Sequence, residues 1–157
     1  MPNAVSHIGL CVTDIGRSRR FYEGVFGFRS AFAFSTDDPI TPQLLRLTPP
    51  VTLNADYLWL HGTLLELLAF DAMEPRRARV MNEPGLTHLS FFVDDLEGAT
   101  AAVESLGGHV RADTHVGVAV IVEDPDGQIV ELVGPGGRFR GMRDAAVGAL
   151  NPGAPEG

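Results

Sequence analysis

Lysine is absent from this 157-residue chain, and its 12 basic residues are all arginine. Schiff-base chemistry and a phosphate-loop lysine are thereby excluded. Cysteine occurs once, at Cys11, so neither an intramolecular disulfide nor a cysteine-cluster zinc site can form. Cys11 stands in an apolar strand and is expected to be a buried, inert thiol. No apolar run is long enough to cross a bilayer, and no basic segment followed by an apolar stretch opens the chain. A cytoplasmic location without membrane contact is expected. Positive charge is also short: the formal net charge is −8, which repels a nucleic-acid backbone, so nucleic acid is not an expected partner.

What remains is a globular composition, with 45% hydrophobic and 20% charged residues. The length suits one domain with a sizeable core. Within it the chain repeats itself. Residues 5–25, VSHIGLCVTDIGRSRRFYEGV, lie over residues 86–106, LTHLSFFVDDLEGATAAVESL, without a gap. His7 falls on His88, Val12 on Val93, Asp14 on Asp95 and Glu23 on Glu104. Further on, TLLELL at 63–68 matches QIVELV at 128–133 and sets Glu66 on Glu131. The first half is longer around residues 36–56, where Pro39, Pro42, Pro49 and Pro50 predict a loop or short-helix insertion.

Each half reads as strand, helix, then three strands, an α+β arrangement. Residues 5–12 and 86–93 are β-rich and alternate. In the first helix Ile15, Tyr22, Val25 and Phe26 provide the apolar face and Gly27 the stop. In the second, Asp94 and Glu97 are spaced as a capping box, Leu96, Ala99, Val103 and Leu106 form the face, and Gly107-Gly108 ends it. Strands are predicted at about 29–35, 57–61 and 63–70, and again near 109–115, 117–123 and 128–133. Tight turns are expected at His61-Gly62 and at Pro125-Asp126-Gly127. The modules span about 4–70 and 86–134 of a single domain covering 1–134. A Gly/Pro-rich tail, 135–157, is expected to be loose, with a short helix around 141–149.

Side chains alternate across a strand, so Ile8, Leu10 and Val12 face the core, and His7 shares the other face with Val5, Gly9 and Cys11. Leu89, Phe91 and Val93 face the core in the second copy, with His88 and Ser90 opposite. Glu66 is embedded in Leu64-Leu65-Glu66-Leu67-Leu68, and Glu131 in Ile129-Val130-Glu131-Leu132-Val133. An unpaired carboxylate buried in such strands costs several kcal/mol, on the order expected for burying charge. Two of them, each matched with a histidine at an equivalent repeat position, point to a shared cation. Mixed imidazole and carboxylate ligation suits zinc, nickel, cobalt, manganese or iron. His61, His109 and His115 have no repeat counterparts and are assigned to turns or surface strands.

These residues resemble the vicinal oxygen chelate superfamily, which includes glyoxalase I, methylmalonyl-CoA epimerase, extradiol dioxygenases and the bleomycin and fosfomycin resistance proteins. HIGLCVTDIGRSRRFYEGVFGF is similar to the family's opening strand and helix, GLTHLSFFVDDLEGATAAVESLGG to its second-module opening, and DPDGQIVELV to its last hairpin. The resemblance covers about residues 4–134. It implies two tandem βαβββ modules whose sheets form an open cup-shaped barrel. It also implies one divalent metal ion held by His7, Glu66, His88 and Glu131. A complete His, Glu, His, Glu set is more like glyoxalase I than like the dioxygenases, which use two histidines and one glutamate. Resistance proteins of the bleomycin type lack the metal set.

The expected activity is that of a lyase or isomerase acting on a small molecule with adjacent oxygens. The metal stabilises an enediolate, and Glu131 or Glu66 moves the proton. The alternatives are an extradiol-type dioxygenase and a non-catalytic drug- or metabolite-binding protein, with Trp59, Phe91 and Phe92 lining or supporting an apolar site. No glutathione-binding constellation is identifiable. A homodimer is expected.

Overall fold

The computed structural model describes residues 4–73 and 80–150; the link at 74–79 and the end of the expected tail, 151–157, lie outside the described residues. Residues 1–79 and 80–157 form two compact units.

The first unit runs β1 (Ile8–Cys11), α1 (Ile15–Phe26), β2 (Arg29–Thr36), α2 (Ile40–Leu45), β3 (Leu53–Leu60) and β4 (Thr63–Phe70). Its strands lie in the order β1-β4-β3-β2, with β1 parallel to β4 and the other pairs antiparallel. The second unit repeats this with β5 (Leu89–Phe92), α3 (Leu96–Ser105), β6 (His109–Val110), β7 (Ala119–Glu123) and β8 (Ile129–Val133), in the order β5-β8-β7-β6. Again the first strand pairs in parallel with the last. The expected architecture is therefore present: α+β, two tandem βαβββ modules, each with an open mixed sheet. A parallel pair needs a crossover, and α1 and α3 provide it.

Asp14 starts α1, accepting a hydrogen bond from the Arg17 amide at 2.9 Å, and Gly27 stops it in the left-handed region at φ 78°. The helix then lays Phe21 and Tyr22, both fully buried, against β3 and β4. The face is centred on Ser18, Phe21 and Tyr22, whereas Val25 and Phe26 lie at its half-buried margin. Leu58, Leu65 and Leu67 meet it from the sheet, and Val12 closes the core. Each such burial contributes about 1.5–3 kcal/mol relative to exposure. In the second unit Val103, Val120, Val122, Val130 and Leu132 play the same part.

Several expectations shift. The cap of α3 is Asp95, which accepts from the Gly98 amide at 3.0 Å, while Asp94 is paired with Arg143. β3 begins at Leu53, inside the stretch expected to be an insertion; α2 fills only its first part. Asp56, a poor strand former, is tolerated there because the Ser30 hydroxyl (2.9 Å) and the Arg19 guanidinium (3.3 Å) donate to its buried carboxylate. The strand expected at 109–115 is cut to two residues by a 3-10 turn at Ala112–Thr114. Cys11 is exposed, with its sulfur 3.8 Å from that of Met73, because it shares the histidine face of β1 and not the core face. The short helix expected around 141–149 is present within the described part of the tail. Residues Arg140–Leu150 form α4, and the Arg143 guanidinium donates to the Val93 carbonyl at 3.0 Å. Among the described residues no helix is long and apolar enough to cross a membrane.

Asp38 organises the start of α2. Its carboxylate accepts from the Ile40 and Thr41 amides (2.7 and 2.8 Å) and from the Thr36 and Thr41 hydroxyls (2.6 and 2.9 Å). The Thr36 hydroxyl above all, and then the Thr41 amide, lower its pKa from 3.8 to about 2. A depressed folded-state pKa means that this contribution is complete above pH 3.8 and is lost as pH falls through about 2. The amide resonances of Ile40 and Thr41 are expected to titrate with a midpoint near pH 2, and Asp38→Asn to abolish that titration. A midpoint near the ordinary value of 3.8 would contradict the arrangement.

Candidate metal centre

His7 stands immediately before β1, and Glu66 at the centre of β4, where the parallel register sets it beside Gly9. Leu65 and Leu67 point into the core on either side, so strand alternation turns Glu66 to the opposite face, toward His7. The His7 Nε2 lies 3.2 Å from Glu66 Oε2. The other ring nitrogen, Nδ1, is 3.0 Å from the Ser6 hydroxyl.

The second unit repeats the arrangement. His88 stands immediately before β5, and Glu131 lies on β8 beside Ser90. The His88 Nε2 is 3.8 Å from Glu131 Oε2, and Nδ1 is 2.8 Å from the Thr87 hydroxyl. In both units, then, the hydroxyl of the preceding residue engages Nδ1, and Nε2 faces a carboxylate. When Nδ1 carries the ring proton, it donates to that hydroxyl and leaves the Nε2 lone pair opposed to a carboxylate oxygen. Two such electron-rich atoms attract a cation between them.

The first of the two distances fits that role, and the second comes near it. Two bonds of about 2.0–2.2 Å from one ion, separated by about 90–110°, hold nitrogen and oxygen about 3.0–3.4 Å apart. The His7–Glu66 pair, at 3.2 Å, falls in that range, and the His88–Glu131 pair, at 3.8 Å, is slightly wider. A hydrogen bond from the second ring nitrogen is the usual way a ligating histidine is fixed in tautomer and orientation. The structure thus brings the four expected residues together as two pairs, one in each unit. Among the described residues no three or more His, Cys, Asp or Glu side chains are grouped closely enough to hold a metal.

The two glutamates are held differently. The Tyr57 hydroxyl donates to Glu66 Oε1, so that each oxygen of Glu66 has its own partner. Burial, and then the hydrogen bond to Glu66 and its charge, push the Tyr57 pKa up to about 12, so the phenol keeps its proton. Glu131 receives the Ser90 hydroxyl at 2.8 Å on Oε2, the oxygen that also faces His88. The Glu66 side chain is 10% exposed and that of Glu131 25%.

The sequence pattern assigns no role to Tyr57, Ser6 or Thr87, and sets Ser90 only on the His88 face. Of the histidines set aside, His61 occupies the β3–β4 turn, the His115 ring accepts from the Gly117 amide at 3.2 Å, and His109 is paired in register with Glu123, whose carboxylate is bound by Arg111. Trp59 is exposed, whereas Phe91 and Phe92 are half-buried.

The family described as the Glyoxalase/Bleomycin resistance protein/Dioxygenase superfamily matches residues 4–132. "Uncharacterized protein YaeR" of Escherichia coli (strain K12) is 31% identical over 134 residues, covering 82% of this chain and 93% of its own. A solved glyoxalase family protein from Bacillus cereus superposes with a TM-score of 0.73 at 13% identity, covering 85% of this chain and 94% of its own. The fosfomycin resistance protein FosX from Listeria monocytogenes, solved with Mn(II) and sulfate, gives 0.58 at 17% identity, covering 90% and 99%. At such identities the two structures speak for the fold alone.

Proposed function

Since this chain belongs to the Glyoxalase/Bleomycin resistance protein/Dioxygenase superfamily, we propose that it is a metal-dependent lyase or isomerase of the glyoxalase type. In this reading His7, Glu66, His88 and Glu131 are the ligands of one divalent ion, whether the two pairs meet within one chain or between two copies. The observation that carries it is the duplicated pair: twice, an Nε2 faces a carboxylate while a preceding hydroxyl engages Nδ1. Two carboxylates offset the charge of a divalent ion, and mixed nitrogen and oxygen donors suit zinc, nickel, cobalt, manganese or iron. The Mn(II) bound by a FosX of similar fold is in keeping with this.

A divalent ion bound there supplies Lewis acidity toward a small substrate with two adjacent oxygens. The chain's own part is to move a proton. A glutamate takes it from the carbon beside the carbonyl and returns it to the neighbouring carbon. Glu131 suits that role better than Glu66, being the more exposed, with His88 and Ser90 both approaching the same oxygen, Oε2. Glu66, buried and held at both oxygens, suits a fixed ligand. The proposed assembly is a homodimer in the cytoplasm, with a small molecule as its partner and no nucleic acid.

The reaction class is tested by two assays on the metal-loaded protein. Isomerisation of hemithioacetals formed from a 2-oxoaldehyde and a panel of thiols, glutathione among them, is expected to be accelerated, and oxygen uptake with a catechol is not. Oxygen uptake without hemithioacetal turnover would move the protein to the dioxygenase class. Binding of substrate without either reaction would make it a sequestering protein.

A further inference from the structure

We propose that Tyr57 is the positioning residue of Glu66: its hydroxyl holds one carboxylate oxygen so that the other is presented to the position beside His7 Nε2. This rests on the metal reading above and adds to it a residue outside the ligand set.

The geometry is specific. Tyr57 lies directly opposite Glu66 in the β3–β4 register, and Glu66 lies opposite Gly9. The phenol donates to Oε1, and Oε2 is left 3.2 Å from the histidine. A carboxylate held at one oxygen still turns about its last bond; one held at both does not. Gly9 packs against this pair: a Cβ there would stand 3.2 Å from the Leu68 side chain, a tight approach, and 3.5 Å from Oε2, an ordinary contact.

The phenol is itself fixed. Its ring stacks on Phe32 with centroids 4.3 Å apart and planes 13° from parallel, and Phe34 lies beyond at 6.3 Å. His7 meets the same ring edge-on at 5.5 Å. Tyr57 thus touches both members of the pair, one through its hydroxyl and the other through its ring. The second unit offers the contrast. The residue opposite Glu131 on β7 is Ile121, which has no hydroxyl, and the donor comes instead from Ser90, the counterpart of Gly9. Each half has one hydroxyl for its glutamate, taken from a different strand. Only in the first half does that hydroxyl take the oxygen the histidine does not face.

Partners in the outer shell of a metal site typically change affinity about 10–100-fold when removed. Tyr57→Phe keeps the ring and its three aromatic neighbours and deletes only the donor. The experiment is a titration of metal-free protein with Mn(II), read by electron paramagnetic resonance, with circular dichroism confirming that each variant is folded. Tyr57→Phe is expected to bind Mn(II) about 10–100-fold more weakly than the wild type. In a Glu66→Gln background the same change is expected to cost less than about 3-fold, because the carboxylate it positions is gone. Equal losses in the two backgrounds would show a general structural role and overturn the proposal. Unchanged affinity in Tyr57→Phe would overturn it while leaving the metal reading intact. A wild-type protein that binds neither Mn(II) nor, in a competition titration, Zn(II) would remove the metal reading and the role of Tyr57 with it.

Discussion

Glu131→Gln, measured with metal saturating, is expected to lower kcat about 10²–10⁴-fold, the usual worth of a positioned general base. Glutamine preserves the size of the side chain and an oxygen donor but removes the charge and nearly all the basicity. If the carboxylate takes the proton, the loss appears in the transition state, so kcat falls while KM stays close to its original value. The structure gives a reason to expect the larger loss here and not at Glu66. Glu131 is one-quarter exposed, and Ser90 and His88 approach the same oxygen, Oε2. Glu66 is nearly enclosed, with Tyr57 on one oxygen and His7 on the other. A base has to reach its substrate and change its hydrogen bonds as the proton moves, which a carboxylate held at both ends does poorly. Saturation with metal is essential, because an empty site would mimic a catalytic defect. Wild-type turnover by both Glu131→Gln and Glu66→Gln would exclude glutamate proton transfer.

Much of this site was legible in the sequence because the chain carries it twice. The alignment of His7 with His88 and of Glu66 with Glu131 picked out the residues that the structure pairs within each unit. The same alignment held information that local pattern overrode. It set Asp14 on Asp95, and Asp95 is the cap of α3; the capping-box spacing drew attention to Asp94 instead, whose carboxylate is taken by Arg143. Tyr57 was within reach too. With the turn at His61-Gly62, Leu60 pairs with Thr63, and counting back along both strands brings Tyr57 opposite Glu66. Ser90 follows from the repeat, since it occupies the place of Gly9 beside the partner glutamate.

What the sequence did not disclose depends on tertiary contacts. The excess length and Pro39, Pro42, Pro49 and Pro50 extend the expected insertion to residue 56, whereas β3 already begins at Leu53 and holds Asp56 buried through Ser30 and Arg19. Arg143 pins the tail helix through the Val93 carbonyl, a bond that spans 50 residues and leaves no periodic trace. Cys11 has apolar neighbours along the chain, yet its parity with His7 places it on the exposed face of β1.

His88→Ala is expected to weaken metal binding by more than about 100-fold, since removal of outer-shell partners alone costs about 10–100-fold. The fold should survive the change. His88 precedes β5, its ring is 31% exposed, and the second unit's core is built by Val103, Val120, Val122, Val130 and Leu132. The loss should therefore register in metal content with little change in thermal unfolding of the metal-free protein. Equilibrium dialysis against a first-row divalent ion, followed by elemental analysis, measures this directly. The wild-type protein should retain about one ion per chain and His88→Ala essentially none. A wild-type protein that retains no metal, or a His88→Ala variant that retains it with undiminished affinity, would contradict the assignment of these four residues to one site.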